Sequence, residues 1–266
     1  LDVVVRKQGV YNLVFHPHGW IRNDQVIELI DHAVSRYGPK VKFLNFREAA
    51  DRLQKHLLLD QPLRAADGSE NGVRLLDLDH DGYLDVVIAN DTVRQTRRWS
   101  PAKRQWRTTN FPVDVRGPGT RFGLQDQQVI ALHLGDRVRK GWRWNENRWA
   151  EDPSLVAGLE EVFTEQGSID QGLRLRDADG NGACEVIVAN ETTQAVFRWS
   201  GDRWDQARLA WPKETWITDR QGRDAGLRFL DIDQDGLDDL LFSRQDRYSL
   251  HLWDNAKRGW SIEALS

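Results

Sequence analysis

Apolar residues in this chain fall in short runs, and the same order of runs returns about every fifty residues. In one copy the runs are 73–76, 84–89, 94–99 and 105–109, rich in β-branched or alternating apolar residues and separated by Gly, Asp, Asn and Pro. Such a unit predicts four short strands, the content of one propeller blade. A helical solenoid of similar period would need sustained 3.6-residue periodicity, which the chain lacks after Gly72. Only SLVAGLEEVF, within 154–164, reads as a short helix. The copies run over about 72–111, 112–150, 167–211 and 222–266.

Residues 1–59 have another rhythm. YNLVFH from Tyr11 reads as a buried strand ending in the loop HPHGWIRN. Asn23 then suits an N-cap, and Val26, Ile27, Ile30, Ala33, Val34 and Tyr37 recur at helical spacing up to Gly38-Pro39. VKFLNF from Val41 reads as a second strand and REAADRLQKHLL as a second amphipathic helix. This β-loop-α-β-α order predicts an α/β segment with parallel strands. Residues 60–71, with Pro, Gly and polar side chains, are the expected linker.

Tryptophan fixes the register of the repeat. Trp99, Trp144, Trp199 and Trp253 occupy one equivalent position, and Trp106, Trp149, Trp204 and Trp260 a second. Because large aromatics bury so much area, these positions are expected in core or inter-repeat packing rather than in sugar stacking.

Three copies also carry an acidic loop: DLDHDGYLD from Asp77, DADGNGACE from Asp177 and DIDQDGLDD from Asp231. Each sets oxygen-bearing side chains at loop positions 1, 3, 5 and 9 and glycine at 6. A sharply turned loop of carboxylates suits calcium, a hard cation taking six to eight oxygens. The loops start 100 and 54 residues apart, which predicts a silent copy between the first two. GTRFGLQDQQVIALHLGDRVRKGWRWNENRW, from Gly119, keeps the repeat without the acidic loop. EF-hand and dockerin readings fail on context: position 12 is Ile88, Val188 or Phe242, not Glu, and the flanks are strand-like.

A net charge of -4 and pI near 6.0 remove any basic face for nucleic acid or an acidic membrane. Mean hydropathy is -0.64 and no apolar run is long enough to span a bilayer. The single cysteine, Cys184, excludes an internal disulfide framework or a CxxC metal motif. Arg94, Arg97, Arg98, Arg137 and Arg139 are expected on solvated strand faces. The chain holds no Met, and we expect an internal fragment or processed product.

The loops and period from about Gly72 to Trp260 resemble FG-GAP repeats and the related VCBS repeats of integrin-like propellers and exported bacterial proteins. The FG and GAP tripeptides themselves are poorly kept. The resemblance implies a mainly β fold of propeller blades, four of them visible, belonging to a larger propeller. It implies three ligand sets for up to three structural calcium ions. The first is Asp77, Asp79, Asp81 and Asp85, with the carbonyl of Tyr83; the second is Asp177, Asp179, Asn181 and Glu185, with that of Ala183. The third is Asp231, Asp233, Asp235 and Asp239, with that of Leu237. The second set, with Asn and a longer Glu, is expected to be weakest, and Asp238 to be solvated.

Residues 1–59 are similar to the last portion of polysaccharide deacetylases, metal-dependent (β/α) barrels acting on N-acetylated sugars. VFH matches the Leu-x-His strand end of that family, which implies a catalytic-acid role for His16. His18 is expected to be a loop residue. The Asp-Asp and His-x-x-x-His motifs that hold zinc or another divalent metal are absent from these residues, so the fragment alone is expected to be inactive. The resulting expectation is a binding or scaffolding propeller of an exported, periplasmic or extracellular multidomain protein. Its partner is expected to be polysaccharide or another protein. The alternative is the accessory and C-terminal part of such a deacetylase.

Overall fold

The computed structural model describes residues 1–266 apart from 7, 8, 15, 17, 18 and 266. Among these the molecule is mainly β, with five small antiparallel sheets and few helices. Four sheets have four strands each, in strict chain order. The first is β1 (Val73–Leu76), β2 (Asp85–Ala89), β3 (Arg94–Ser100) and β4 (Gln105–Thr109). The second is β5 (Thr120–Gln125), β6 (Gln128–Leu134), β7 (Arg139–Asn145) and β8 (Arg148–Glu151). A two-stranded ribbon, β9 (Glu165–Gln166) and β10 (Ile169–Asp170), precedes the third sheet: β11 (Leu173–Arg176), β12 (Glu185–Ala189), β13 (Gln194–Trp199) and β14 (Trp204–Ala207). The last is β15 (Leu227–Leu230), β16 (Asp239–Ser243), β17 (Tyr248–Leu252) and β18 (Ile262–Leu265).

Each sheet is thus the four-strand unit read from the hydrophobic runs. The second strand of a unit is nearly all apolar because both its faces are covered: β2 and β12 are buried along their whole length. Burying each Val or Ile there contributes about 1.5–3 kcal/mol. Consecutive sheets pack face to face. Val87 and Ala89 meet Ala131 and Trp142; Ile130, Leu132 and Leu134 meet Leu173, Val186 and Val188; Ile187 and Val196 meet Leu227, Leu240 and Phe242. No buried cluster among the described residues joins the fourth sheet to the first, so the sheets form a row with no closed ring.

The tryptophan pairs sit directly across from one another, Trp99 on Trp106, Trp144 on Trp149 and Trp199 on Trp204. Their ring centroids are 5.2, 5.4 and 5.2 Å apart, and those of Trp253 and Trp260 are 4.8 Å apart. Trp144, Trp204, Trp253 and Trp260 are buried, as expected of packing residues. In the silent copy, Asp126 and Gln127 both have positive φ and close a two-residue hairpin in place of the acidic loop. The expected helix within 154–164 is reduced to the 3-10 turn Pro153–Val156. Its apolar positions Leu155, Leu159 and Val162 instead plug the seam between the second and third sheets. Gly158, with φ 84°, lies outside the helical region and breaks the run between Leu155 and Leu159.

The first 59 residues depart most from expectation. Helices α1 (Asp2–Arg6), α2 (Asn23–Tyr37) and α3 (Phe46–Asp51) form, and α3 runs on as a π-helical turn, Arg52–Leu57. Arg22, not Asn23, is the N-cap of α2, while Gly38 with φ 51° ends it as expected. Neither expected strand is present: 11–14 and 41–45 have no regular structure, and Val14 and Phe43 are 79% and 58% exposed. Parallel strands are stable only with a sheet beside them and helices on both faces. No described element supplies these, and Ile27, Ile30 and Val34 of α2 stay exposed.

The arginine expectation also needs correction. Arg97 is buried, Arg98 pairs with Asp79, and Arg139 donates to the carbonyls of Leu159 and Val162. Arg97 and Arg139 satisfy backbone carbonyls that would otherwise lack donors, while Arg94 and Arg137 are exposed as expected.

Candidate metal centres

Each acidic loop connects the first two strands of its sheet and turns on a set of local hydrogen bonds. The first Asp accepts from the loop glycine: Gly82 to Asp77 at 3.0 Å, Gly182 to Asp177 at 2.9 Å and Gly236 to Asp231 at 3.1 Å. The glycines have φ of 81°, 88° and 92°, the left-handed region that this turn needs. The fifth residue caps the turn, with Asp81, Asn181 and Asp235 accepting from the N–H of Tyr83, Ala183 and Leu237 at 2.8–2.9 Å.

The ninth residue is the buried member. Asp85, Glu185 and Asp239 accept from the N–H of the second loop residue, Leu78, Ala178 and Ile232, at 3.0–3.2 Å. Asp85 and Asp239 also accept from Trp99 and Trp253, at 2.7 and 2.9 Å, so the loop is fastened to the third strand. Positions 1, 3 and 9 converge: in each of the sets Asp77, Asp79 and Asp85; Asp177, Asp179 and Glu185; and Asp231, Asp233 and Asp239, one oxygen per residue lies within 4.8 Å of the others. Asp81 and Asp235 are outside these close groups, and each commits an oxygen to its turn.

Three carboxylates so close disfavour one another's ionised form, and burial adds to this. Burial pushes the Asp85 carboxyl up to about 7, against the lowering effect of its two N–H donors. Burial likewise pushes Glu185 up to about 7. One oxygen each of Asp77 and Asp177 is buried with no hydrogen-bond partner. In the first two loops, hard oxygen donors, a raised buried carboxyl and a buried oxygen without a partner fit a divalent cation of the calcium type.

The loops differ in a residue that the spacing did not single out. Arg98 pairs with Asp79 in the first, and Arg198 lies 3.4 Å from Asp179 and 3.5 Å from Glu185 in the second. Leu252 holds the equivalent place in the fourth sheet. The signal was legible as the residue before the first tryptophan of each copy. Asp238 is not solvated as expected: it accepts from Arg176 at 2.9 Å and so links the second loop's strand to the third loop.

His16 is exposed, with its ring edge-on to Trp20 at 4.8 Å between centroids. His18 lies outside the described residues. No described His, Cys, Asp or Glu forms a close metal-type group with His16.

Residues 177–261 match the family model of the FG-GAP-like repeat. That stretch holds the second and third acidic loops, and it covers about a third of the chain. No curated protein matches. Among solved structures the chain is similar to a lectin of Agrocybe aegerita described as specifically recognising non-reducing terminal N-acetylglucosamine. The TM-score is 0.52 at 16% identity, over 72% of this chain. The chain spans about half the length of that lectin chain, 50% of which is covered. At this identity the likeness is one of fold, a sheet-rich, propeller-like arrangement.

Proposed function

We propose that this chain is a calcium-stabilised module of FG-GAP/VCBS-type propeller blades that binds carbohydrate within an exported multidomain protein. The observation that carries the calcium reading is the threefold convergence of positions 1, 3 and 9, with inward oxygens of Asp77 and Asp177 left unpartnered. Asp81, Asn181 and Asp235 and the carbonyls of Tyr83, Ala183 and Leu237 complete the donor sets. The FG-GAP-like match supports an exported setting, where calcium is plentiful, and the lectin's described recognition supports a carbohydrate ligand. No described helix is long and apolar enough to cross a membrane. The role of the ion is structural, since it ties the first strand of a blade to the second and third.

Calcium binding only the folded form adds about 2.7 kcal/mol per site at one hundred times Kd. For a chain of this size that is roughly 5–10 °C in Tm. Scanning calorimetry is expected to show such an upward shift between chelator and millimolar calcium, with little response to magnesium, which demands a tighter octahedral site. Superimposable scans overturn the reading. The deacetylase reading of residues 1–59 rests on sequence resemblance, and the exposed His16 gives it no geometric support.

A further inference from the structure

In three of the four blades at least one tryptophan of the pair is buried. Trp144 and Trp149 pack against Leu76 and Leu78 of the blade before, and Trp199 and Trp204 against Leu155 and its neighbours. Trp253 and Trp260 lie in the cluster shared with the third blade. The indole N–H groups of Trp149, Trp204 and Trp260 donate to Thr96, Leu155 and Asp238 at 2.7–2.9 Å. The first blade has no blade before it among the described residues. Neither Trp99 nor Trp106 is fully buried, and Trp99 belongs to no buried cluster.

What faces this pair is the helix of Phe46–Leu57. Leu57, Leu58 and Trp106 pack on the buried cluster of Val73, Val86 and Ile88, and Arg97 pins the arrangement. Its buried guanidinium donates to the carbonyls of His56 and Leu57 while stacking 4.6 Å from the centre of the Trp106 ring. Beyond this pin the helix and blade separate, leaving a cleft of about 650 Å³, within the usual ~300–1,000 Å³ of small-molecule sites.

The walls carry two acids, Glu48 and Asp51, and two bases, Arg52 and Arg104, so their formal charges cancel. Glu48 is committed to the cap of its own helix, and Asp51 to Lys55 at 3.1 Å. His56 and Gln105 add further hydrogen-bonding groups at the rim. A tilted aromatic pair held by an arginine, with polar groups along the walls, matches a ligand with apolar C–H faces and neutral hydroxyl or amide edges.

We propose that the cleft between this helix and the first blade binds a neutral saccharide, which stacks on Trp99 and Trp106 and hydrogen-bonds to Arg104 and Gln105. The proposal rests on the carbohydrate-binding reading above and assigns its site. The test titrates the full chain, in calcium, with chitotriose, cellotriose and maltotriose, followed by calorimetry and tryptophan fluorescence. Sialyllactose serves as a charged comparison. At least one neutral trisaccharide is expected to bind and shift the emission. Arg104→Ala/Gln105→Ala, both exposed, one in the turn and one at the start of β4, should weaken that binding about tenfold or more with Tm nearly unchanged. Trp99→Leu should abolish the emission shift.

Binding that is undiminished in these variants overturns the cleft assignment while the carbohydrate reading stands. No binding by any of the neutral sugars, in a protein that calcium does stabilise, overturns both the cleft and the carbohydrate ligand. It leaves the calcium-held fold untouched. Preference for sialyllactose also overturns the proposal.

Discussion

The residue before the first tryptophan of each blade sets how much of an acidic loop is left for a cation. Arg98 and Arg198 lean on the carboxylates of their own loops, whereas Arg143, in the blade with no loop, pairs with Asp152 at 2.6 Å, and Leu252 leaves the third loop free. A cation entering the first two loops must displace a guanidinium or sit beside it, both unfavourable. Calcium is therefore expected to fill the third loop first and the second, with Asn181 and two Arg198 contacts, last. In calorimetric titration, Asp233→Ala should remove the tightest site. Arg198→Ala should tighten the weakest by about tenfold, or ~1.4 kcal/mol. Equal affinities in the parent chain, or no gain in Arg198→Ala, would refute this ranking. Side-chain identity was legible here, but the pairing of Arg198 with Glu185 depends on which strands lie side by side.

At the scale of the element, three of the four blades depend on a left-handed glycine that opens the first strand. Gly72, Gly172 and Gly226 have φ of 65°, 71° and 96°. A Cβ on Gly172 would stand 2.9 Å from Thr218 Oγ1 and closer still to the Ala189 carbonyl oxygen. Backbone cannot yield as a flexible side chain does. Gly172→Ala is expected to destabilise by about 2–3 kcal/mol through combined φ strain and contact. Thermal unfolding in saturating calcium measures it, and a loss under about 0.5 kcal/mol, the usual surface range, would refute the close approach. The strands themselves were legible because their periodicity is local. In contrast, 11–14 and 41–45 have apolar strand-like sequence yet no strand, since a strand's hydrogen bonds come from a neighbour that local sequence cannot specify.

Over the whole molecule, stability is shared among seams, and one of them titrates. His133 of β6 lies against Thr120, with Nδ1 3.0 Å from its hydroxyl, and Nε2 is 3.8 Å from Glu165 of the two-stranded ribbon. Burial holds its imidazole below the usual histidine range. The unfolded chain takes up this proton near pH 6.5, while the folded state resists it. The stability that His133 contributes is thus present above about 6.5 and lost as the pH falls below it. The difference in Tm between the parent chain and His133→Asn, measured in saturating calcium, is expected to shrink from pH 7.5 to 5.5. A difference that grows on acidification would show that Glu165 captures the proton in the folded state and would refute the prediction.

The sequence by itself determined the four-strand unit, its period, the paired tryptophans and the three acidic loops, because each is a local pattern repeated in register. It also located the silent copy, whose Asp126–Gln127 turn replaces a whole loop. Only the tertiary structure decided that the blades stack in a row and that Leu155, Leu159 and Val162 form a plug instead of a helix. It also decided that Trp99 and Trp106, unlike their counterparts, line an open cleft. Equivalent residues have equivalent local sequence but different neighbours. Burial is a property of what lies across the seam, and repetition along the chain does not encode where the row of blades meets something else.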